Sequence, residues 1–149
     1  MSQTVLITGA SNGIGKACAR VFARKGYDLV LLARHREKLE TVKAELSEYN
    51  VQIKVIAMDL TGEDAAVDLY NDLVLDDISI DILVNNAGFG DHGAFHDSSW
   101  EKQKKMVLLN IVALMQMTYV FGQSMKRRKK GRILNVASIA GLCAGPYMS

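Results

Sequence analysis

A single proline, Pro146, stands in 149 residues, so the peptide backbone itself almost nowhere forces a helix or strand to stop. Cysteine is equally scarce. Cys18 and Cys143 make no disulfide framework and no metal-ligand spacing, which points to a reducing, cytoplasmic setting, with Cys18 as a small buried hydrophobe. Of three histidines, His92 and His96 are four apart, but Gly90 and Gly93 make that stretch a loop with no third ligand. No metal site is expected there. Charge is nearly balanced at +2, which excludes a global electrostatic drive toward nucleic acid or acidic surfaces. Met-Ser-Gln-Thr leads straight into an apolar run without the basic and apolar regions of a signal peptide. Repeats, linkers and low-complexity tracts are missing too. With 49% hydrophobic residues, the chain has the composition of one domain, 1–149, with a substantial core.

One apolar run is long. Met106 to Met125, followed by Lys126-Arg127-Arg128-Lys129-Lys130, imitates a membrane span with a positive flank. Asn110, Gln116 and Gln123 interrupt it, and it lies between soluble-type elements. The expectation is no membrane, and a helix buried over most of its surface. It should start near Ser98 with Glu101 completing a capping box, and end in the basic cluster with Gly131 closing it. That cluster lacks the interleaved aromatics of a nucleic-acid surface, so no nucleic acid is expected.

The glycine-rich turn Thr8-Gly9-Ala10-Ser11-Asn12-Gly13-Ile14-Gly15 organises the rest. Thr4-Val5-Leu6-Ile7 before it reads as a buried strand. After it, Ile14, Ala17, Cys18, Val21 and Phe22 recur at helical spacing up to Gly26. Further strands are expected over 28–33, 51–58, 80–84 and 132–137, with helices over 36–49 and 62–76. Strands alternating with helices of ten or more residues imply an α/β fold. The expected form is a doubly wound, Rossmann-type parallel sheet in three layers. Ligands of such sheets bind outside the carboxyl ends of the strands, so the residues found there become candidates.

In a strand–turn–helix context, glycines let the backbone approach a pyrophosphate, and helix N–H groups face it. Glycines also mark tight turns. After the second strand, where an acid would accept hydrogen bonds from the adenosine ribose of NAD, the chain has Arg34, then His35 and Arg36. A guanidinium fork favours the 2′-phosphate of NADP; the plain alternative is a solvated arginine opening a helix. Asp59 either accepts from an adenine amino group or caps a turn. Asn85-Asn86-Ala87-Gly88 ends the fourth strand, where amides satisfy loop backbone. Asn110 is an amide inside an apolar helix and needs partners. Ser138 follows the fifth strand without the glycine-flanked elbow of a hydrolase. Phe89, His92 and Phe95 are candidates for the substrate side.

Together these residues resemble the short-chain dehydrogenase/reductase family across the whole chain. The matching elements are Thr8-Gly9-x-x-x-Gly13-Ile14-Gly15, Asp59-Leu60, Asn85-Asn86-Ala87-Gly88, Asn110, and Ser138 within Asn135-Val136-Ala137-Ser138-Ile139-Ala140-Gly141. The resemblance implies that Gly9, Ser11, Asn12, Gly13, Ile14 and Gly15 hold the pyrophosphate and adenosine ribose. Arg34 matches the basic position of members that prefer NADP (NADPH) over NAD. Asp59 and Leu60 would border the adenine, and Asn86, Ala87 and Gly88 would support the cofactor. Ser138 would hydrogen-bond the substrate oxygen, and the Asn110 backbone carbonyl would hold a relay water. The implied activity is hydride transfer between nicotinamide and a small-molecule carbonyl or alcohol, in a homo-oligomer (dimer or tetramer). The family's acid/base tyrosine and its lysine four residues on fall past Ser149 at the usual offset; Tyr147 lies too close to Ser138. The expectation is therefore a Rossmann-type domain incomplete at its C-terminal end, inactive alone, within a protein well above 16.4 kDa. A non-catalytic dinucleotide-binding module, as redox sensor or scaffold, is the alternative.

Overall fold

Apolar runs such as Val5-Leu6-Ile7 and Leu29-Val30-Leu31-Leu32 are fully buried because helices cover both faces of the sheet they form. The computed structural model describes residues 2–142, 145 and 147; Cys143, Pro146 and Ser149 lie outside the described residues. The strands are β1 (Thr4–Thr8), β2 (Asp28–Ala33), β3 (Ile53–Ala57), β4 (Ile82–Asn85) and β5 (Arg132–Asn135). All pair in parallel, in the order β3-β2-β1-β4-β5. Side chains alternate between the two faces. Val5, Ile7, Leu29 and Leu31 pack with α1 (Gly13–Arg24) and α2 (Arg36–Glu45). Leu6, Val30, Leu32 and Leu83 pack with α3 (Ala65–Leu75) and the long helix. This is the expected three-layer, doubly wound α/β architecture.

Local differences from the expected pattern have steric causes. In α1 the buried face is Gly15, Ala19 and Ala23, while Ile14 and Val21 are exposed and Cys18 and Phe22 are half-buried. Small residues face the sheet because the helix start comes too close to the β1 loop for larger ones. α3 begins at Ala65 rather than Gly62, because residues 61–64 form a turn in which Ala65 N–H donates to the Gly62 carbonyl.

The long helix comprises α4 (Trp100–Val107), a π-helical segment (Leu108–Ala113) and α5 (Leu114–Arg128). Its capping box does not form. Ser99 is the N-cap and makes no side-chain cap bond, while the Ser98 hydroxyl donates to Asp91. Burial over most of its surface is also not found: only 22% of its most apolar window is buried, although the helix is long and apolar enough to cross a membrane. Ala113, Met117, Phe121 and Met125 face the sheet, and Ile111, Met115 and Tyr119 face outward. A helix laid on one sheet face can bury only one stripe. On edge strand β5, Ile133 and Leu134 are likewise exposed.

The helix closes at Lys129, in the left-handed region (φ 52°), rather than at Gly131. Its cations serve a carboxylate that the sequence did not single out. Asp81, at the start of β4, accepts from the Thr4 N–H (3.1 Å), and pairs with Lys130 Nζ (3.2 Å) and Arg128 Nη1 (3.4 Å). Burial pushes its carboxyl pKa up, but the Thr4 N–H and the Lys130 and Arg128 charges outweigh this and hold it below its ordinary value. Because the folded value is depressed, the stabilisation is complete above the ordinary pKa of 3.8 and is lost as pH falls through the folded value. Asp81→Asn should therefore lower unfolding free energy by about 2 kcal/mol at pH 7, as read by urea denaturation. The gap between variant and wild type should narrow as pH falls below 3.8 and close once Asp81 is protonated in the folded protein. A gap that persists unchanged into acid would disprove the assignment.

Candidate functional site

Strand order reverses between β1 and β4, so the loops after these strands separate and leave a crevice at the carboxyl edge of the sheet. Both walls are locked together. Thr8 Oγ1 accepts from the N–H groups of Asn86 and Ala87 (2.9 Å each) and donates to the Val84 carbonyl (3.3 Å). Asn86 Nδ2 donates to the carbonyls of Thr8 (3.0 Å) and Gly9 (3.2 Å). Gly9 has φ 65°, and a Cβ there would lie 2.8 Å from Asn86 Nδ2. A Cβ on Gly15 would overlap the Gly9 carbonyl oxygen and sit 2.5 Å from Asn86 Nδ2. The turn can fold only with hydrogen at both positions.

A cavity of about 320 Å³ runs across the carboxyl ends of β2, β1 and β4. Of the predicted residues, Gly9, Ser11, Asn12, Arg34, Asp59, Leu60, Ala87 and Gly88 line it. Gly13, Ile14, Gly15 and Asn86 do not. Ile14 is exposed, and Gly15 and Asn86 act behind the wall, as its support. Asn12 is the N-cap of α1 but makes no side-chain cap bond, and the first turn contains no acid. The first N–H groups of α1 therefore have no side-chain partner, at the helix end that the cavity-lining Asn12 opens.

The wall beyond β2 carries two cations. Arg34 and Lys38 line the cavity beside His35, whereas Arg36 turns away to Glu40 (3.6 Å). Lys38 was missed in the sequence; its place in the first turn of α2 becomes part of a cavity wall only on folding. Asp59 Oδ1 accepts from the N–H (3.0 Å) and Oγ1 (2.9 Å) of Thr61, so its turn-capping reading is met while it still borders the cavity. The Thr61 N–H, with help from the Thr61 hydroxyl and the Arg34 and Lys105 charges, holds its pKa below the ordinary value despite partial desolvation.

Asn110 finds its partners at the middle of the π-helical segment. Its Oδ1 accepts the Phe89 N–H (3.1 Å) and its Nδ2 donates to the Phe89 carbonyl (2.8 Å). Gly88 leaves room for this clasp, since a Cβ there would lie 3.0 Å from Asn110 Oδ1. Asn85 Nδ2 donates to Thr118 Oγ1 (3.0 Å) and Asn135 Oδ1 (2.9 Å), tying β4 to α5 and β5. Ser138 is exposed just past β5 and is not among the cavity-lining residues. Phe89, offered for the substrate side, borders this cavity; His92 and Phe95 do not. A larger groove of about 900 Å³ follows the β3 edge and the amino ends of the strands; of the residues singled out in the sequence, Arg36 borders it.

The family model described as short chain dehydrogenase matches residues 3–149. The chain belongs to the short-chain dehydrogenase family. Curated relatives of this short-chain dehydrogenase include a mouse 17-beta-hydroxysteroid dehydrogenase type 3, 37% identical over all of this chain and 49% of that protein. Another is a very-long-chain 3-oxoacyl-CoA reductase from Coccidioides immitis, 33% identical over 97% of this chain and 42% of that one. The chain thus spans about half the length of the curated relatives it matches. Among solved structures, a bulky-bulky ketone specific alcohol dehydrogenase from Comamonas testosteroni superposes with TM-score 0.90 at 36% identity. It covers 99% of this chain and 59% of that one. A Sphingobium yanoikuyae short-chain dehydrogenase in complex with NADPH gives the same TM-score and identity, over 99% and 58% of the two chains.

The steric lock makes a sharp prediction for this short-chain dehydrogenase. Gly15→Ala should lower unfolding free energy by about 2 kcal/mol in urea denaturation, because backbone rather than a flexible side chain must yield. Wild-type stability in the variant would show that the turn has slack the geometry denies.

Proposed function

We propose that this chain is the cofactor-binding part of an NADP(H)-dependent oxidoreductase that interconverts a small-molecule carbonyl and alcohol. The observation that carries the cofactor choice is the pair of cations Arg34 and Lys38 in the cavity wall, at the strand end where an NAD site would present an acid. The residues fit a dinucleotide: two glycines where a Cβ would collide, an uncapped helix N-terminus, and a cavity running from β2 to β4. A fold neighbour described as an NAD+-bound xylitol dehydrogenase, 31% identical with TM-score 0.90, indicates that the scaffold alone does not select the phosphate. The side chains after β2 would do so.

Bound NADP(H) supplies the hydride. The protein's own tasks are binding and positioning. The turn over 9–15 would take the pyrophosphate, Arg34 the 2′-phosphate, and Asp59 and Leu60 the adenine border. Asn86, Ala87 and Gly88 would hold the floor. Ser138 would donate to the substrate oxygen and stabilise charge developing there. Asn110, whose side chain is consumed by Phe89, keeps only its backbone for a relay water. The reading requires a tyrosine and lysine pair at an offset from Ser138 that falls past Ser149. The outward apolar stripe of Ile111, Met115 and Tyr119 supports assembly as a homo-oligomer.

Arg34→Ala should reduce the preference for NADPH over NADH at least tenfold, through a rise in the NADPH Kd with little change for NADH. Arg34→Asp should reverse the preference. Equal Kd ratios in wild type and both variants would remove Arg34 from the cofactor site and leave the cofactor choice without its support.

A further inference from the structure

One nearly buried carboxylate is left unused by this reading. Asp91 follows Phe89 by two residues, and its side chain is 11% exposed. Its Oδ1 accepts from the His92 N–H (3.0 Å) and from Lys102 Nζ. Its Oδ2 accepts from Ser98 Oγ (2.6 Å) and Gln103 Nε2 (3.2 Å). Gln103, itself buried, also donates to Ser98 Oγ (2.7 Å). Lys102 pairing and the Ser98 hydroxyl, against some desolvation, lower the pKa to about 2. Such a group stays ionised throughout the working range and has no role as a proton donor or acceptor.

Its role follows from where its partners lie. Phe89 is clasped by Asn110, and Asp91 by Lys102 and Gln103, roughly two turns earlier on the same long helix. The segment leaving β4 therefore runs back along the helix and is fastened to it at two points. At the first of them, Phe89 is held in the cavity wall. That wall lies on the β4 side of β1, opposite the β2 side that holds Arg34. If adenosine lies at Arg34, the nicotinamide half points toward Phe89.

We propose that Asp91 is a positioning residue: with Asn110 it straps the segment after β4 to the long helix and fixes Phe89 against the nicotinamide half of the dinucleotide. This deepens the oxidoreductase reading and rests on it for the ligand, whereas the strap itself does not. The two parts are read separately in Asp91→Ala and, should that variant fail to fold, in the double variant Ser98→Ala/Lys102→Ala, which removes two of the four donors. Hydrogen exchange of the peptide spanning 88–98 tests the strap, and exchange there should accelerate at least tenfold. NADPH titration tests the consequence. Its Kd should stay within about threefold of wild type, because the phosphate contacts lie at the other end. The emission enhancement of the bound nicotinamide should fall by half or more. Unchanged exchange overturns the strap. Faster exchange with unchanged nicotinamide emission overturns the positioning role. If wild type itself shows no NADPH binding while exchange still responds to the variants, the oxidoreductase reading fails, the positioning role falls with it, and the strap alone remains.

Discussion

Everything at the carboxyl edge of the sheet depends on how closely two backbones approach at the β1–β4 crevice. Gly15 stands against the Gly9 carbonyl, and Asn86 fills the space beside both with an amide that donates to Thr8 and Gly9. This contact is steric and polar at once. The absent Cβ atoms allow it, and the hydrogen bonds satisfy carbonyls that would otherwise be left unpaired in a closed space. The same turn carries Gly9, Ser11 and Asn12 into the cavity wall at the start of α1. A phosphate-sized opening and a stable strand junction are thus the same structural solution.

That coupling explains why the sequence could be read so far. Thr8, Gly9, Gly15 and Asn86 are constrained by one geometry, and no common alternative fold needs those types at those spacings. Strand positions were equally plain, because a sheet covered on both faces demands continuous apolar runs. The cavity-lining roles of Arg34, Asp59, Leu60, Ala87 and Gly88 came from the same rule, since they sit where strands end.

What stayed hidden depended on faces rather than elements. Apolar spacing named an α1 stripe through Ile14 and Val21, yet the helix turns its smallest residues inward to meet the glycine loop. The long helix misled in a similar way. Its apolar residues surround most of its circumference, and sequence alone does not say that Ala113, Met117, Phe121 and Met125 are the ones buried against the sheet. Ser98 was open to two local uses, a cap or a partner for Asp91, and the second gives a nearly buried carboxylate one of its four donors. Lys38, Asp81 and Asp91 were illegible for a related reason: each acquires its role from a group far away in sequence or from a cavity that exists only after folding.

The π-helical segment joins these strands of argument. A π turn inserts extra chain into a helix and rotates the residues after it relative to those before. Here Met106 and Ala113, on either side of Asn110, both stay buried, as do Met117 and Phe121 beyond. The irregularity lets one helix keep its apolar contacts with the sheet while Asn110 reaches Phe89 in both directions. A regular helix would have to give up one of the two. The cost of the distorted turn is offset because the Phe89 backbone groups, held off the sheet ladder beyond β4, gain two partners from a single amide. The same distortion is what leaves the Asn110 side chain committed, so any part it has in proton transfer belongs to its backbone.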